Sequence, residues 1–76
     1  MHDKLNKNEM KVLQILQEFN NESNAIKIKT LAELSNLSYF SVRNIIKGFY
    51  LSGICEKGRR DGNAETYYLS KKNNPI

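Results

Sequence analysis

Arg43, Asn44 and Lys47, with Tyr39 and Phe40 just before them, carry a set of side chains suited to reading nucleic acid. A guanidinium can donate two parallel hydrogen bonds to guanine O6 and N7, and a carboxamide can pair in the same two-point fashion with adenine N6 and N7. Either contributes about 1–3 kcal/mol of base discrimination. The ammonium of Lys47 suits a phosphate oxygen, and the two rings can meet thymine methyl groups. Few enzymes need that combination, whereas a major groove can use all of it. For the rings there is a plainer use, because an exposed Phe near a helix start often packs on a neighbouring element or a dimer partner.

These residues need a helix to present them on one side, and their neighbours supply one. Ser38 is a strong N-cap whose hydroxyl can accept from a first-turn amide. Leu37 before it and Val42 inside it form a hydrophobic staple. Val42, Ile45, Ile46 and Phe49 recur at i, i+3, i+4 and i+7, so they share a buried face and leave the polar set outward. Gly53 supplies a left-handed stop. Ser38 and the free amides of the helix start could also hold a phosphate oxygen.

Earlier in the chain, Asn6-Lys7-Asn8-Glu9 forms a capping-box variant, with Leu5 and Met10 placed as a staple. Met10, Val12, Leu13, Ile15, Leu16 and Phe19 then follow helical spacing, and Asn20-Asn21-Glu22-Ser23-Asn24 reads as a loop. Ala25-Ile26-Lys27-Ile28-Lys29 alternates like a short half-buried strand. Thr30-Leu31-Ala32-Glu33 has capping-box spacing for a second helix through about Asn36; a start near Ile28 competes, since Ile28, Leu31, Ala32 and Ser35 also share one helical face. Leu34 and Leu37 are expected to pack the elbow between the second and third helices, which only a short turn separates.

After Gly53 the pattern becomes extended. Ile54-Cys55-Glu56-Lys57 and Ala64-Glu65-Thr66-Tyr67-Tyr68-Leu69 flank a charged, glycine-bounded stretch, which is the signature of a hairpin. By the period of two, Tyr67 and Leu69 close over the core with Ile54, while Thr66 and Tyr68 point the other way. Arg59 and Arg60 at the tip suit a narrow A·T minor groove, or keep a two-stranded edge soluble. Lys27 and Lys29 flank the short strand and either reach phosphate or form its solvent face. Residues 71–76 show no periodicity and read as a loose tail.

Size and charge narrow the class. Seventy-six residues make one domain that buries only about 60% of its unfolded surface, so dimerisation would help stability. The net charge of +4 is not evenly spread: residues 1–37 balance five Lys against five acids, while residues 38–76 set seven Lys or Arg against three acids. A basic face on a small domain is the usual footprint of nucleic-acid binding, and a solvated surface gives the same excess. Cys55 and His2 are the only residues of their types, which excludes an intrachain disulfide and a Cys/His zinc cage within one copy. Cys55 reads as a small buried strand residue. No run of roughly 20 apolar residues could span a bilayer, and the first residues are too polar for a signal peptide, so a cytoplasmic protein is expected. No acid–base pair, partnered nucleophile or phosphate-binding glycine loop suggests an enzyme, and no cofactor is expected.

The segment from Leu31-Ala32-Glu33-Leu34-Ser35-Asn36-Leu37-Ser38 through Val42-Arg43-Asn44-Ile45-Ile46-Lys47 to Gly53-Ile54 resembles the helix-turn-helix core of the winged helix-turn-helix family. The resemblance covers roughly residues 6–70. It implies a mainly α fold with a small β-hairpin (α+β), three helices plus a wing. It further implies that the third helix enters the major groove of double-stranded DNA and that the wing lies on the minor groove or backbone. Ser38, Tyr39, Phe40, Arg43, Asn44 and Lys47 would then be recognition-helix contacts, and Arg59 and Arg60 wing contacts. A homodimer on repeated or palindromic sites follows from the same resemblance. The role is either a small transcriptional repressor or a centromere-binding adaptor of plasmid or phage partition. The minimal size is similar to TubR-type adaptors, which link DNA to a tubulin-like filament and so imply a filament-forming GTPase partner. Richness in Asn, Lys and Ile fits an AT-rich bacterial or phage genome. Unlike many relatives the chain shows no long helix after the hairpin, so a dimer must use the first helix, the N-terminal arm or the turn, and no effector pocket is evident. The alternative is a winged helix that binds protein rather than DNA; Arg43, Lys47, Arg59 and Arg60 argue against it.

Overall fold

Asn6 starts the first helix by a reciprocal pair of bonds. Its Oδ1 accepts from the Glu9 N–H at 2.8 Å, and Glu9 Oε1 accepts from the Asn6 N–H at 2.9 Å, the expected capping box. Helix α1 runs Lys7–Leu16. Leu5 packs on the core, but Met10 stands exposed, so the expected staple does not bury both partners. The helix also stops short of Phe19. Its end tightens into i→i−3 bonds, and the Phe19 carbonyl instead accepts from the Leu69 N–H at 2.8 Å. The computed structural model describes residues 5–71, so His2 and all of the expected tail beyond Lys71 lie outside the described residues.

A 3₁₀ turn at Glu22–Asn24 leads into strand β1, Ile26–Lys27, and helix α2, Ile28–Ser35. Of the two helix starts compatible with the sequence, the one at Ile28 is adopted, and the strand is correspondingly shorter than 25–29. Lys27 is the N-cap and its side chain makes no cap bond, so the Thr30 capping box goes unused. The earlier start carries Ile28 onto the core in line with buried Leu31, Ala32 and Ser35. Fully burying a large aliphatic side chain contributes about 1.5–3 kcal/mol, so the part of that gained by half-buried Ile28 is of the same order as a cap, about 1 kcal/mol, and offsets its loss.

Asn36 takes φ +61 and ends α2. The Leu37 N–H reaches the Ala32 carbonyl at 3.1 Å and the Asn36 N–H the Glu33 carbonyl at 3.3 Å, a Schellman pair that makes the turn tight. Leu37 packs against the core at this elbow; Leu34, expected beside it, is 56% exposed. Helix α3 spans Tyr39–Leu51, with Val42, Ile46 and Phe49 buried and Ile45 partly so. Gly53 at φ +86 stops it as expected, with Ile54 N–H bonded to the Phe49 carbonyl at 2.8 Å.

Strands β2, Cys55–Lys57, and β3, Thr66–Leu69, complete an antiparallel sheet of order β1-β3-β2. The hairpin register pairs Cys55 with Leu69 and Lys57 with Tyr67, while β1 sets Ile26 opposite Tyr67. Leu69 and Cys55 are buried, and Tyr67 and Ile54 pack on the core. The Cys55 thiol is pushed up to about 12 by burial and then by the Glu56 charge, so it stays protonated packing material. Thr66 departs from the expected outward position: it is 5% exposed, and its hydroxyl donates to the Arg59 carbonyl. Segment 58–59 folds over it, which Gly58 permits.

Candidate nucleic-acid interface

Ser38 fixes the start of α3. Its Oγ accepts from the Ser41 N–H at 3.1 Å and donates to Ser41 Oγ at 3.0 Å. Four residues on the exposed side of this helix then rise in a row: Tyr39, Arg43, Lys47 and Tyr50, at the i+4, i+4, i+3 spacing that keeps them on one face.

Opposite that row stands the wing. A groove of about 360 Å³ is lined by Tyr39 and Arg43 from α3, Lys29 from α2, Lys27 from β1, and Lys57, Glu65 and Tyr67 from the wing. An adjoining groove of about 320 Å³ is lined by Arg43, Lys47, Tyr50, Leu51, Lys57 and Tyr67. Arg43 and Lys57 border both, so the two form one trough with cations on either bank.

Aromatic contacts join the two banks of that trough. The Tyr50 and Tyr67 rings meet edge to face at 6.3 Å and 73°, and the Lys57 ammonium sits 5.2 Å from the Tyr50 ring centroid. Lys57 also pairs with Glu65 at 3.2 Å, and Glu65 with Arg60 at 3.4 Å. The hydrogen bond to Glu65 raises the Lys57 ammonium from its ordinary value and lowers the Glu65 carboxyl. Burial raises the Tyr67 phenol, and the hydrogen bond to Glu56 raises that of Tyr68; both stay neutral near pH 7.

The other expected site residues are distributed around this trough. Arg59 and Arg60 line a larger hollow, about 590 Å³, with Ser23, Lys27 and Thr30; Lys27 borders it and the trough alike. They precede the hairpin tip rather than form it. The tip is the pair Asp61 and Ala64, bonded both ways at 2.9 and 3.1 Å around Gly62 and Asn63, with Gly62 at φ +67. Asn44 is separated from Arg43: it lines an apolar groove of about 520 Å³ on the opposite flank of α3, with Leu5, Ile45, Gly48, Phe49 and Ile54. Phe40 is 69% exposed. Lys27 is held by Asp61 at 3.2 Å, whereas Lys29, Arg43, Lys47 and Arg59 make no ion pair among the described residues.

Tyr50 and Lys57 were not evident as site residues from the sequence. Extending the Tyr39, Arg43, Lys47 row by one turn would have found Tyr50, but Lys57 joins the trough only through the hairpin register. Among the described residues no group of three His, Cys, Asp or Glu is placed to hold a metal ion. Nor is any helix among them long and apolar enough to cross a membrane.

No protein-family model matches the chain, and no curated protein does. Among solved structures, the DNA-binding TubR fragment from Clostridium botulinum superposes with a TM-score of 0.74 at 31% identity, covering 95% of this chain and 90% of that one. The chain belongs to the winged helix-turn-helix DNA-binding family. Two further winged-helix structures share the fold at lower identity. One is ZitR, a zinc-responsive MarR family member from Lactococcus lactis, with TM-score 0.76, 19% identity and 99% of this chain covered. The other is MepR, a transcription regulator of the Staphylococcus aureus multidrug efflux pump MepA, with TM-score 0.77, 8% identity and 93% covered. This chain spans about half the length of each, 50% and 51%. As in these winged helices, three helices here pack beside an antiparallel sheet whose hairpin is the wing.

Proposed function

We propose that this winged helix binds double-stranded DNA in the cytoplasm as a homodimer, with α3 in the major groove and the wing along the minor groove or backbone. The observation that carries the reading is the trough itself. Arg43 and Lys47 on the exposed row of α3 face Lys57 on the wing, with Lys29 beside them, and three of these four cations have no acid partner among the described residues. Arg43 is the base reader, because a guanidinium can pair with guanine at two points. Lys47, Lys29 and Arg59 contact phosphate, and Arg60 and Lys57 reach it from the wing. Tyr39 and Phe40 meet thymine methyls, and Ser38 anchors the helix start beside a phosphate. Asn44, on the far flank, reads a base only when α3 lies deep in the groove.

Two roles fit such a binder: a centromere-binding adaptor in plasmid or phage partition, whose partner would be a filament-forming GTPase, and a small transcriptional repressor. The 31% identity to TubR over 90% of that fragment favours the first. The test is a footprint on DNA flanking the chain's own gene, with random duplex as competitor and salt varied. Protection of several evenly spaced repeats supports an adaptor on a centromere-like array, and a single short palindrome supports an operator. Absence of protection even at low salt would remove DNA as the partner and point to a protein-binding winged helix, for which exposed Phe40 and Leu51 on α3 are the available surface.

A further inference from the structure

The cations of this interface fall into two groups. Lys29, Arg43, Lys47 and Arg59 are without an ion pair among the described residues, whereas Lys27, Lys57 and Arg60 are each held by an acid of the wing. Glu65 is the shared centre: one carboxylate oxygen lies 3.2 Å from Lys57 Nζ and the other 3.4 Å from Arg60 Nη2. Two anionic oxygens on one atom, each turned to a different cation, are what a bridging DNA phosphate would present in the same place. Asp61 holds Lys27 alone, through one carboxylate oxygen at 3.2 Å. The side chains of these pairs are 36–65% exposed, so the bonds are surface pairs that contribute little and exchange readily.

We propose that Glu65, with Asp61 beside it, is a built-in stand-in for DNA phosphate that occupies Lys57, Arg60 and Lys27 in the free chain. It thereby sets how tightly the protein holds duplex of any sequence. The proposal rests on the DNA-binding reading above. A phosphate entering between α3 and the wing must either displace the carboxylate or be repelled by it, so the free chain binds with fewer effective cations than it carries. Sequence-independent affinity is then held down at the wing, while Arg43, which makes no ion pair among the described residues, keeps its base contacts.

Glu65→Gln tests this with little change of shape, because the amide keeps a hydrogen-bond acceptor for Lys57 and loses the charge. Binding to a random duplex is measured for both proteins over a range of salt. The variant should bind several-fold tighter at low salt, with a log–log salt slope steeper by about 0.9 for each cation freed. Asp61→Asn, which frees Lys27 alone, should move the same way by a smaller amount. In a Lys57→Gln, Arg60→Gln background the gain from Glu65→Gln should vanish, because no held cation remains to be released. Unchanged affinity and slope in Glu65→Gln, on a duplex that the wild type does bind, would overturn the proposal and leave DNA binding intact. A gain that persists in the double-variant background would overturn it too, since overall charge would then account for the effect. If the wild type binds no duplex at any salt, the DNA-binding reading fails and this proposal with it.

Discussion

Gly58 and Gly48 differ in what an added methyl group would meet. At Gly58 a Cβ would lie 2.5 Å from the Ala25 Cβ and 2.9 Å from Thr66 Oγ1, so the segment that carries Arg59 could not keep its place over Thr66. Overpacking of this kind costs about 1–3 kcal/mol, and Gly58→Ala should lower the urea midpoint accordingly. Gly48 lies inside α3 with nothing within 4 Å of its built Cβ. Gly48→Ala should therefore stabilise the protein by about 0.5–1 kcal/mol, read as a higher midpoint at unchanged m-value. A fall in stability for Gly48→Ala would mean that the apolar groove beside it is closed in solution. At this scale the sequence was most legible where chemistry is local. Asn6 with Glu9, and Ser38 with Ser41, cap their helices as residue type and spacing require. Thr66 was misread because what covers it, the Gly58–Arg59 backbone, is decided by packing and not by strand alternation.

Helix starts and the wing are the elements on which binding would turn. Ser38→Ala removes the cap of α3 and should cost about 1 kcal/mol of stability. Ser38→Asp should keep the cap and suit the helix dipole, yet weaken duplex binding by placing a negative charge where a phosphate is proposed. Equal binding by Ser38→Asp and wild type would remove that phosphate from the helix start. The wing has its own pH limits. Glu65 is lowered from its ordinary value of 4.5, chiefly by its hydrogen bond to Lys57, so its contribution is complete above that value and is lost as pH falls through the lowered one. Lys57 is raised from 10.5 by the same bond, so its contribution is complete below 10.5 and is lost as pH rises through the raised value. An NMR titration should place the Glu65 carboxyl midpoint below 4.5, and Lys57→Met should bring it back up. Element boundaries were less legible than element types. α1 ends early because the Phe19 carbonyl serves β3, and α2 starts early because Ile28 joins the core, neither of which is a property of the local sequence.

At the scale of the whole molecule, the order of helices, turn and hairpin was readable because each periodicity is strong and each connection short. The trough was not. It depends on where the hairpin lands against α3, which the Tyr50–Tyr67 contact and the register of Lys57 opposite Tyr67 determine together. That placement gathers part of the +4 charge on one side, with Lys29 and Lys47 in the trough and Arg59 in the hollow beside it making no ion pair among the described residues; in the proposed reading these three meet phosphate and Arg43 meets bases. Each neutralised phosphate contributes about −0.9 to the slope of log affinity against log salt, so Lys29, Lys47 and Arg59 together would give about −3 per protomer and about twice that in a dimer, before any share from Lys57 and Arg60, which Glu65 holds. Lys47→Ala or Arg59→Ala should each flatten the slope by about one unit per protomer and weaken binding to all sequences alike. Arg43→Ala should instead cost about 1–3 kcal/mol at a preferred site and little on random DNA. If the three variants lose the same affinity on both kinds of duplex, the division between base reader and phosphate contacts is wrong; a wild-type slope near zero would mean that phosphates are not contacted at all.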